Sequence, residues 1–500
     1  MSGAWRAGLE TSRIVTIDYL EFHAQQQPDA IALIDRGREI RYGEMIRDLA
    51  KVAPALQAFN LPQGSSVAIG CDDFYLHWLL ILGFERLGVA TTSFHSREGA
   101  GVRGLLGTVD LVLAEGHYPT GGWQTRSITE EWLAAVWNRP DERLPPAAPA
   151  LPEGVLRIVR TSGTTGEPKR FHLLRRMLEA WLRQAIWLNR AQKMGARVLL
   201  TMPFSIGATY GITAAVLRAG DTVVYEPWAG AAELPGLIAR HGLNRVTLLP
   251  VQLKQVLERL PADWVKPASL EITCFGARVP DELRALALDR LATLITEIYG
   301  SNEMGGVSVL RRPSEDGFAS ICPEIEVEIV DEEDNPLPDG IAGLIRVRTE
   351  GCLRAYLDDP TLTRRMLRGG WFYPGDLGVR DGRRLLLIGR ADDQVNIGGV
   401  KYALPRLEEL VQKSAGSGVL DVGIVSVPDG LGIPALNVAL VTDGKDDRAV
   451  IDRVAATLRR SIAGDLHLVR LPQIPRNEMG KIDRAQLKDA IVAARFPKKG

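Results

Sequence analysis

The chain has 500 residues and a formal net charge of −1, from 60 Lys and Arg against 61 Asp and Glu. That length exceeds one compact core, and the charge offers no basic excess for gripping nucleic acid. Hydrophobic residues make up 46% and charged residues 24%, an ordinary soluble balance, and no apolar stretch reaches the length of a membrane span.

The amino terminus carries Arg6, Glu10 and Arg13 and lacks an apolar signal core, so a cytoplasmic protein is expected. The four cysteines (Cys71, Cys274, Cys322 and Cys352) and the seven histidines have no paired spacing. Neither a zinc site nor a disulfide framework is indicated, and any metal should be held by oxygen. Phe74 to Gly88 predicts a helix with a wide apolar face and a glycine stop. Leu111 to Ala114 reads as a short strand, and the Pro/Ala-rich stretch from Leu144 to Pro152 as a loop or linker. Val155 to Val159 reads as a strand feeding a glycine-rich turn, and Leu173 to Met194 as a long helix. Val198–Leu200, Thr222–Tyr225 and Val246–Leu249 are further strand candidates with helical stretches between them. This alternation argues for an α/β architecture. Near residue 320 the pattern turns to alternating residues, in Glu324–Val330 and Gly343–Arg348, which suggests antiparallel β structure. After Gly389 a small α+β unit is expected, with strands at Val419–Val427 and Asn437–Val441 and helices at Glu408–Lys413 and Ala449–Ala463. The domain boundary is expected at Arg390 to Asp393.

The most informative stretch is Thr161-Ser162-Gly163-Thr164-Thr165-Gly166-Glu167-Pro168-Lys169. Its glycines let backbone N–H groups approach an anion closely. Its hydroxyls are donors, and Lys169 adds positive charge near a phosphate. A strand before it and a helix after it make the expected setting of a phosphate loop. It is not a Walker loop, because no G-x-x-x-x-G-K-[ST] occurs. Taken alone, such a turn more often reads as a solvated polar loop.

Here the sequence resembles the adenylate-forming enzymes: acyl- and aryl-CoA synthetases, firefly-type luciferases and peptide-synthetase adenylation domains. Residues 161–169 fit that family's T-S-G-[ST]-T-G-x-P-K signature, with Arg170 in place of the usual glycine at the exit. Further matches follow in the family's order. They are Pro28–Leu33 with Arg41–Glu44, then Gly276-Ala277-Arg278, Tyr299-Gly300-Ser301-Asn302-Glu303, Tyr373-Pro374-Gly375-Asp376, Gly389–Val395 and Pro475–Ile482. The resemblance covers nearly the whole chain. It implies a large AMP-binding domain over residues 1–390, made of α/β subdomains plus a β-barrel-like part, and a small mobile α+β domain over residues 391–500.

It also implies roles. Lys481 would bridge the acid's carboxylate and the α-phosphate of ATP, placing positive charge where negative charge develops. Glu303 would help hold Mg2+, and Thr165 would act in the phosphate loop with Thr161, Ser162, Gly163, Thr164, Gly166 and Lys169. Gly276, Ala277, Arg278, Tyr299, Gly300 and Asn302 would frame the nucleotide, with Tyr299 stacked on adenine. Asn302 stands where the family has threonine. Asp376 would accept hydrogen bonds from the ribose hydroxyls, with Arg390 alongside. Asp392 would be the hinge for the small domain's swing, and Gly398, Gly399 and Lys401 would line the path of the thiol.

The acid pocket is expected at Phe204, Ser205, Ala208, Ala277 and Gly300. No acidic residue lies between Phe204 and Gly211 to pair with an ammonium, so a neutral-tailed acid, aryl or aliphatic, is expected over an α-amino acid. Many acyl-CoA synthetases carry histidine near Ser205; here it is absent. The implied reaction needs ATP, Mg2+ and either CoA or the phosphopantetheine of a carrier protein, with the CoA ligase as the leading reading. A catalytically dead binding module is the reading from another class. Joint retention of Thr165, Glu303, Asp376, Arg390 and Lys481 argues against it.

Overall fold

The computed structural model describes residues 15–495 apart from 96–104, 106–107, 116–123, 141–142, 162–168, 189–194, 227–229, 277, 312–315, 392–393, 398–399, 416–417, 429–433, 445–446, 461, 463–465 and 478–479. The chain divides into two compact units. One comprises residues 1–313, 322–324 and 349–367, and the other 314–321, 325–348 and 368–500. The boundary expected at 390–393 therefore falls inside the second unit.

Two largely parallel sheets build the first unit. One runs Arg38–Arg41, Ile31–Asp35, Thr222–Tyr225, Arg197–Leu200, Arg245–Leu248, Glu271–Phe275, Leu294–Ser301 and Gly305–Leu310 in spatial order, antiparallel only at its two outer pairs. The other runs Gln124–Ser127, Leu111–Ala114, Ser66–Gly70, Ala90–Ser93, Val155–Thr161 and Lys169–Leu174. Parallel strands need crossovers and are covered on both faces. Accordingly Leu199, Leu200, Val223 and Val224 are buried without alternation. Helices Leu234–His241, Pro250–Glu258 and Asp281–Arg290 supply apolar residues such as Leu237, Leu253 and Ala287 to the core with Leu199, Val246 and Ile272. The helix Phe74–Arg86 is buried at every residue from Phe74 to Glu85. Asp73 caps its start by accepting the Leu76 N–H at 2.7 Å, and Gly88 follows its end at φ +73°.

One expectation is corrected. The stretch after the glycine-rich turn does not enter a helix directly. Lys169–Leu174 is a strand antiparallel to Val155–Thr161, and the helix starts at Arg175 and runs to Leu188. Phe171 and Leu173 are fully buried while His172 between them is exposed, the two-residue period of a strand. Six residues of that period, set against a long amphipathic helix, are easily absorbed into the helical pattern.

In the second unit, Ala319–Ile321, Arg384–Arg390, Asp376–Asp381, Ala342–Arg348 and Trp371–Phe372 form an antiparallel set, and Glu326–Val330 also pairs with Ala342–Arg348. The antiparallel texture read near residue 320 is present. Farther along, Val419–Pro428, Pro434–Thr442 and Leu466–Arg470 form a three-stranded sheet. Val422, Ile424, Leu436 and Val438 face helices Leu404–Ala415 and Asp447–Arg459. Val425, Val427 and Ala439 point the other way, toward helix Arg484–Arg495. Among the described residues no helix is long and apolar enough to cross a membrane.

Candidate active site

In open α/β sheets, ligands gather at the carboxyl ends of the strands. The first unit's candidates sit at such ends. Thr161 closes Val155–Thr161, Phe204 and Ser205 follow Arg197–Leu200, Gly276 and Arg278 follow Glu271–Phe275, and Tyr299 to Glu303 close Leu294–Ser301.

A buried polar seam fixes the first of these strands. Arg157 is 3% exposed, and its guanidinium donates to Thr91 Oγ1 at 2.9 Å and Ser93 Oγ at 2.7 Å. Burial pushes its pKa down to about 10. Ser93 also meets His77 Nε2 at 2.8 Å, while His77 Nδ1 lies 2.8 Å from the Cys71 carbonyl. Burial pushes the His77 pKa down to about 3, so the ring is neutral. A carbonyl only accepts, so Nδ1 carries the proton and the Ser93 hydroxyl donates to Nε2.

Thr161 and Lys169 face each other across the hairpin and bracket the glycine-rich turn. Ser162, Gly163, Thr164, Thr165 and Gly166 lie outside the described residues. Among those described, the Thr161 hydroxyl is buried without a hydrogen-bond partner. The Lys169 ammonium sits 5.8 Å above the ring of Tyr356, and the Tyr356 hydroxyl donates to Glu303 Oε1 at 3.3 Å. Glu303 is held further by its N–H to Ser301 Oγ at 3.2 Å and by its carbonyl, which accepts from Leu353 N–H at 2.8 Å. Arg170 donates to Thr108 Oγ1 at 2.9 Å and pairs with Asp358. Asn302 reaches the start of the helix Gly207–Arg218, where a Cβ on Gly207 would lie 3.2 Å from its side-chain oxygen. The fold thus brings Thr161, Lys169, Asn302 and Glu303 to one end of the first unit. Tyr356, 53 residues after Glu303, belongs to none of the sequence motifs. Its local sequence, Arg354-Ala355-Tyr356, carries no signal of a polar partner.

Tyr299 is half-buried, Gly276 takes a left-handed φ of +84°, and Arg278 is exposed and pairs with Asp281 at 3.6 Å. Ala277 lies outside the described residues. Phe204 is 4% exposed and stacks on Phe74, ring centroids 4.4 Å apart. Phe204 and Ser205 border a cavity of about 160 Å³ that Phe74, Phe94, His77 and Asp72 also line. Asp72 and Phe94 follow the strands Ser66–Gly70 and Ala90–Ser93 of the other sheet, Phe74 and His77 lie on the helix Phe74–Arg86, and no spacing in the sequence links them to residue 204. Asp72 faces His95 at 3.4 Å. Ala208 is half-buried in the helix beyond. Gly300 packs against the backbone of Gly305 and Gly306.

In the second unit Asp376 and Arg390 are paired across adjacent strands, Arg390 Nη1 donating to Asp376 Oδ1 at 3.3 Å. Gly375 before them takes φ +79°, where a Cβ would lie 3.1 Å from the Arg390 guanidinium. Lys481 is exposed on a tight turn. Its N–H donates to Asn477 Oδ1 at 3.0 Å, and Gly480 before it takes φ +70°. Asp392, Gly398 and Gly399 lie outside the described residues, and Lys401 is in the strand Val400–Ala403.

The family model for the AMP-binding enzyme matches residues 108–357, half of the chain. The chain belongs to the AMP-binding enzyme family. This AMP-binding enzyme is 24% identical over 515 residues to the indoleacetate–CoA ligase of Aromatoleum aromaticum, covering 96% of this chain and 98% of that one. It is 25% identical over 512 residues to a fatty acid–[acyl-carrier-protein] ligase of Streptomyces coeruleorubidus, covering 94% and 95%. Its fold is similar to that of the Bacillus subtilis o-succinylbenzoate CoA synthetase solved with its acyl-adenylate, with a TM-score of 0.81, 20% identity and coverage of 94% and 98%. As a member, it is an AMP-forming acid–thiol ligase: a carboxylic acid and ATP give an acyl-adenylate and pyrophosphate, and the acyl group then passes to a thiol. The residues present fit ATP and Mg2+. A partnerless buried hydroxyl at Thr161 and an ammonium at Lys169 suit phosphate oxygens, and a carboxylate at Glu303 suits a hard cation.

Proposed function

We propose that this enzyme activates a neutral-tailed carboxylic acid, most suitably a one-ring aryl acid, and transfers it to CoA. Thr165 and the rest of the glycine-rich turn, with Thr161 and Lys169, hold the phosphates. Tyr299, Gly276 and Asn302 frame the adenosine, and Asp376 with Arg390 takes the ribose hydroxyls. Mg2+ on Glu303 would offset phosphate charge. The acid's carboxylate oxygen bonds to the α-phosphorus as the bond to pyrophosphate breaks, and Lys481 steadies the two meeting anions. The thiol sulfur then bonds to the acyl carbon and AMP leaves. Residues 391–500 move about Asp392 between these halves, withdrawing Lys481 and presenting Gly398, Gly399 and Lys401 to the thiol's arm.

The observation that carries the reading is the join of Lys169 to Glu303 through Tyr356 at the strand ends. The cavity beside Ser205 supports the acid class. It is aromatic-walled at Phe74, Phe94 and Phe204, and about 160 Å³, close to the ~150 Å³ that accepts a benzene-sized guest. Asp72 beside it already faces His95, which disfavours an ammonium-bearing acid. Cytoplasmic residence is part of the reading.

The test is acid-dependent exchange of labelled pyrophosphate into ATP over a panel of aryl, aliphatic and amino acids, followed by thioester assays. No exchange with any carboxylate would refute adenylation. A carrier protein's phosphopantetheine is the second reading, favoured by the absence near Ser205 of the histidine that many CoA ligases carry. Thioester formed on a carrier and never on CoA would select it.

A further inference from the structure

Tyr356 contacts two groups assigned to the phosphates and the metal, yet it belongs to neither the glycine-rich turn nor the Tyr299–Glu303 segment. It is 4% exposed. Its backbone is pinned by an antiparallel bridge to Phe171 and by its N–H, which donates to Thr363 Oγ1 at 3.0 Å. The neighbouring Leu357 N–H donates to the Arg170 carbonyl at 2.8 Å. The backbone at Tyr356 is therefore fixed by that bridge and by Thr363, and the polar end of its side chain has a defined target. A phenol hydroxyl can satisfy one carboxylate oxygen as donor. With its hydroxyl on Glu303 Oε1 at 3.3 Å, it leaves the other oxygen for a cation. The ring face meanwhile receives the Lys169 ammonium at 5.8 Å.

We propose that Tyr356 is a positioning residue for the adenylation step: its hydroxyl orients the Glu303 carboxylate toward Mg2+, and its ring steadies Lys169 toward the phosphates. The inference rests on the metal role proposed for Glu303. Outer-shell partners of metal ligands typically matter by 10–100-fold in affinity or activity. The two contacts can be separated by substitution, since phenylalanine keeps the ring and loses only the hydroxyl.

The experiment is acid-dependent pyrophosphate exchange by the full chain, titrated with Mg2+ at saturating ATP and with ATP at saturating Mg2+. The variants are Tyr356→Phe, Tyr356→Leu and Glu303→Gln, each with a thermal melt. Tyr356→Phe should need about 10-fold more Mg2+ for half-maximal rate, with an almost unchanged KM for ATP. Tyr356→Leu should raise both. Thioester formation from supplied acyl-adenylate should be untouched in Tyr356→Phe. If Glu303→Gln shifts the Mg2+ requirement and Tyr356→Phe does not, the positioning role is refuted while the reading of Glu303 stands. If Glu303→Gln leaves the requirement where it was, the metal role itself falls and this inference with it.

Discussion

Gly300 is the tightest point between the candidate adenine and metal residues, and Gly300→Ala tests whether that packing matters. A Cβ there would lie 2.2 Å from the Gly305 carbonyl oxygen, 2.9 Å from Gly306 Cα and 3.0 Å from the Gly305 carbonyl carbon. All three are backbone atoms of the facing strand, so no side chain can rotate away. Relief requires the hairpin of Leu294–Ser301 and Gly305–Leu310 to open by about 1 Å, and overpacking of this kind costs roughly 1–3 kcal/mol. The upper end is expected, because backbone is what must move. The same opening carries Tyr299 and Glu303 away from Lys169, and a misplacement of ~1 Å costs about 100-fold in rate. Gly340→Ala is the control: that residue has φ +85° and nothing within 4 Å of its would-be Cβ, so it loses only the left-handed penalty of ~1–2 kcal/mol. Thermal melts and pyrophosphate exchange measure both effects. Gly300→Ala should melt several degrees lower and lose about two orders of magnitude in exchange, whereas Gly340→Ala should keep its exchange rate. A Gly300→Ala variant with wild-type melting and wild-type exchange would refute the steric argument.

Arg284 is 1% exposed and donates to Glu297 at 2.8 Å and to the Ile295 carbonyl at 3.0 Å. Arg284→Met strands a buried carboxylate and should cost about 3–5 kcal/mol near neutral pH. Burial already raises the Glu297 pKa, against the lowering by Val279 N–H and Arg284. The folded carboxyl therefore binds its proton more tightly than the unfolded one, and its contribution to stability falls as pH rises through the folded pKa. The melting deficit of Arg284→Met should accordingly shrink between pH 8 and pH 5; a deficit that grows on acidification would contradict this. Lys481→Ala should suppress adenylation strongly and leave thioester formation from supplied acyl-adenylate largely intact, and equal loss of both halves would speak against a mobile C-terminal domain. Asp376→Ala removes charge-assisted hydrogen bonds worth about 1.5–3 kcal/mol, so KM for ATP should rise roughly 10–100-fold. Its melt should barely shift, because the Arg390 partner is 39% exposed; an unchanged KM would remove Asp376 from the ribose site.

Local patterns were legible where one period dominates. The helix at Phe74, capped by Asp73 and stopped near Gly88, is written in its own residues, as are the doubly buried strands around Leu199 and Val223. The alternation of Val422 and Ile424 against Val425 and Val427 likewise announces a sheet with helices on both faces. What escaped was set by the meeting of distant segments. Lys169–Leu174 is a strand because Val155–Thr161 is beside it to pair with. Tyr356 gains its partner from a turn 53 residues earlier. Asp72 reaches the cavity at Ser205 from a strand end of another sheet, and His77 from the helix that follows it. Ordered motifs named most of the candidate residues, but none could say which side chains touch.

In the phosphate site proposed for the glycine-rich turn, the pairing of Val155–Thr161 with Lys169–Leu174 changes where the counter-charge must come from. A loop that opens straight into a helix borrows about half an elementary charge from the aligned peptides of that helix. Here six residues of strand intervene before Arg175, so that contribution is spent elsewhere. In that proposal, grip on the triphosphate depends on discrete cations and hydroxyls, each removable by substitution. Nucleotide binding by this enzyme should therefore weaken more steeply with added salt than binding at a helix-capped phosphate loop.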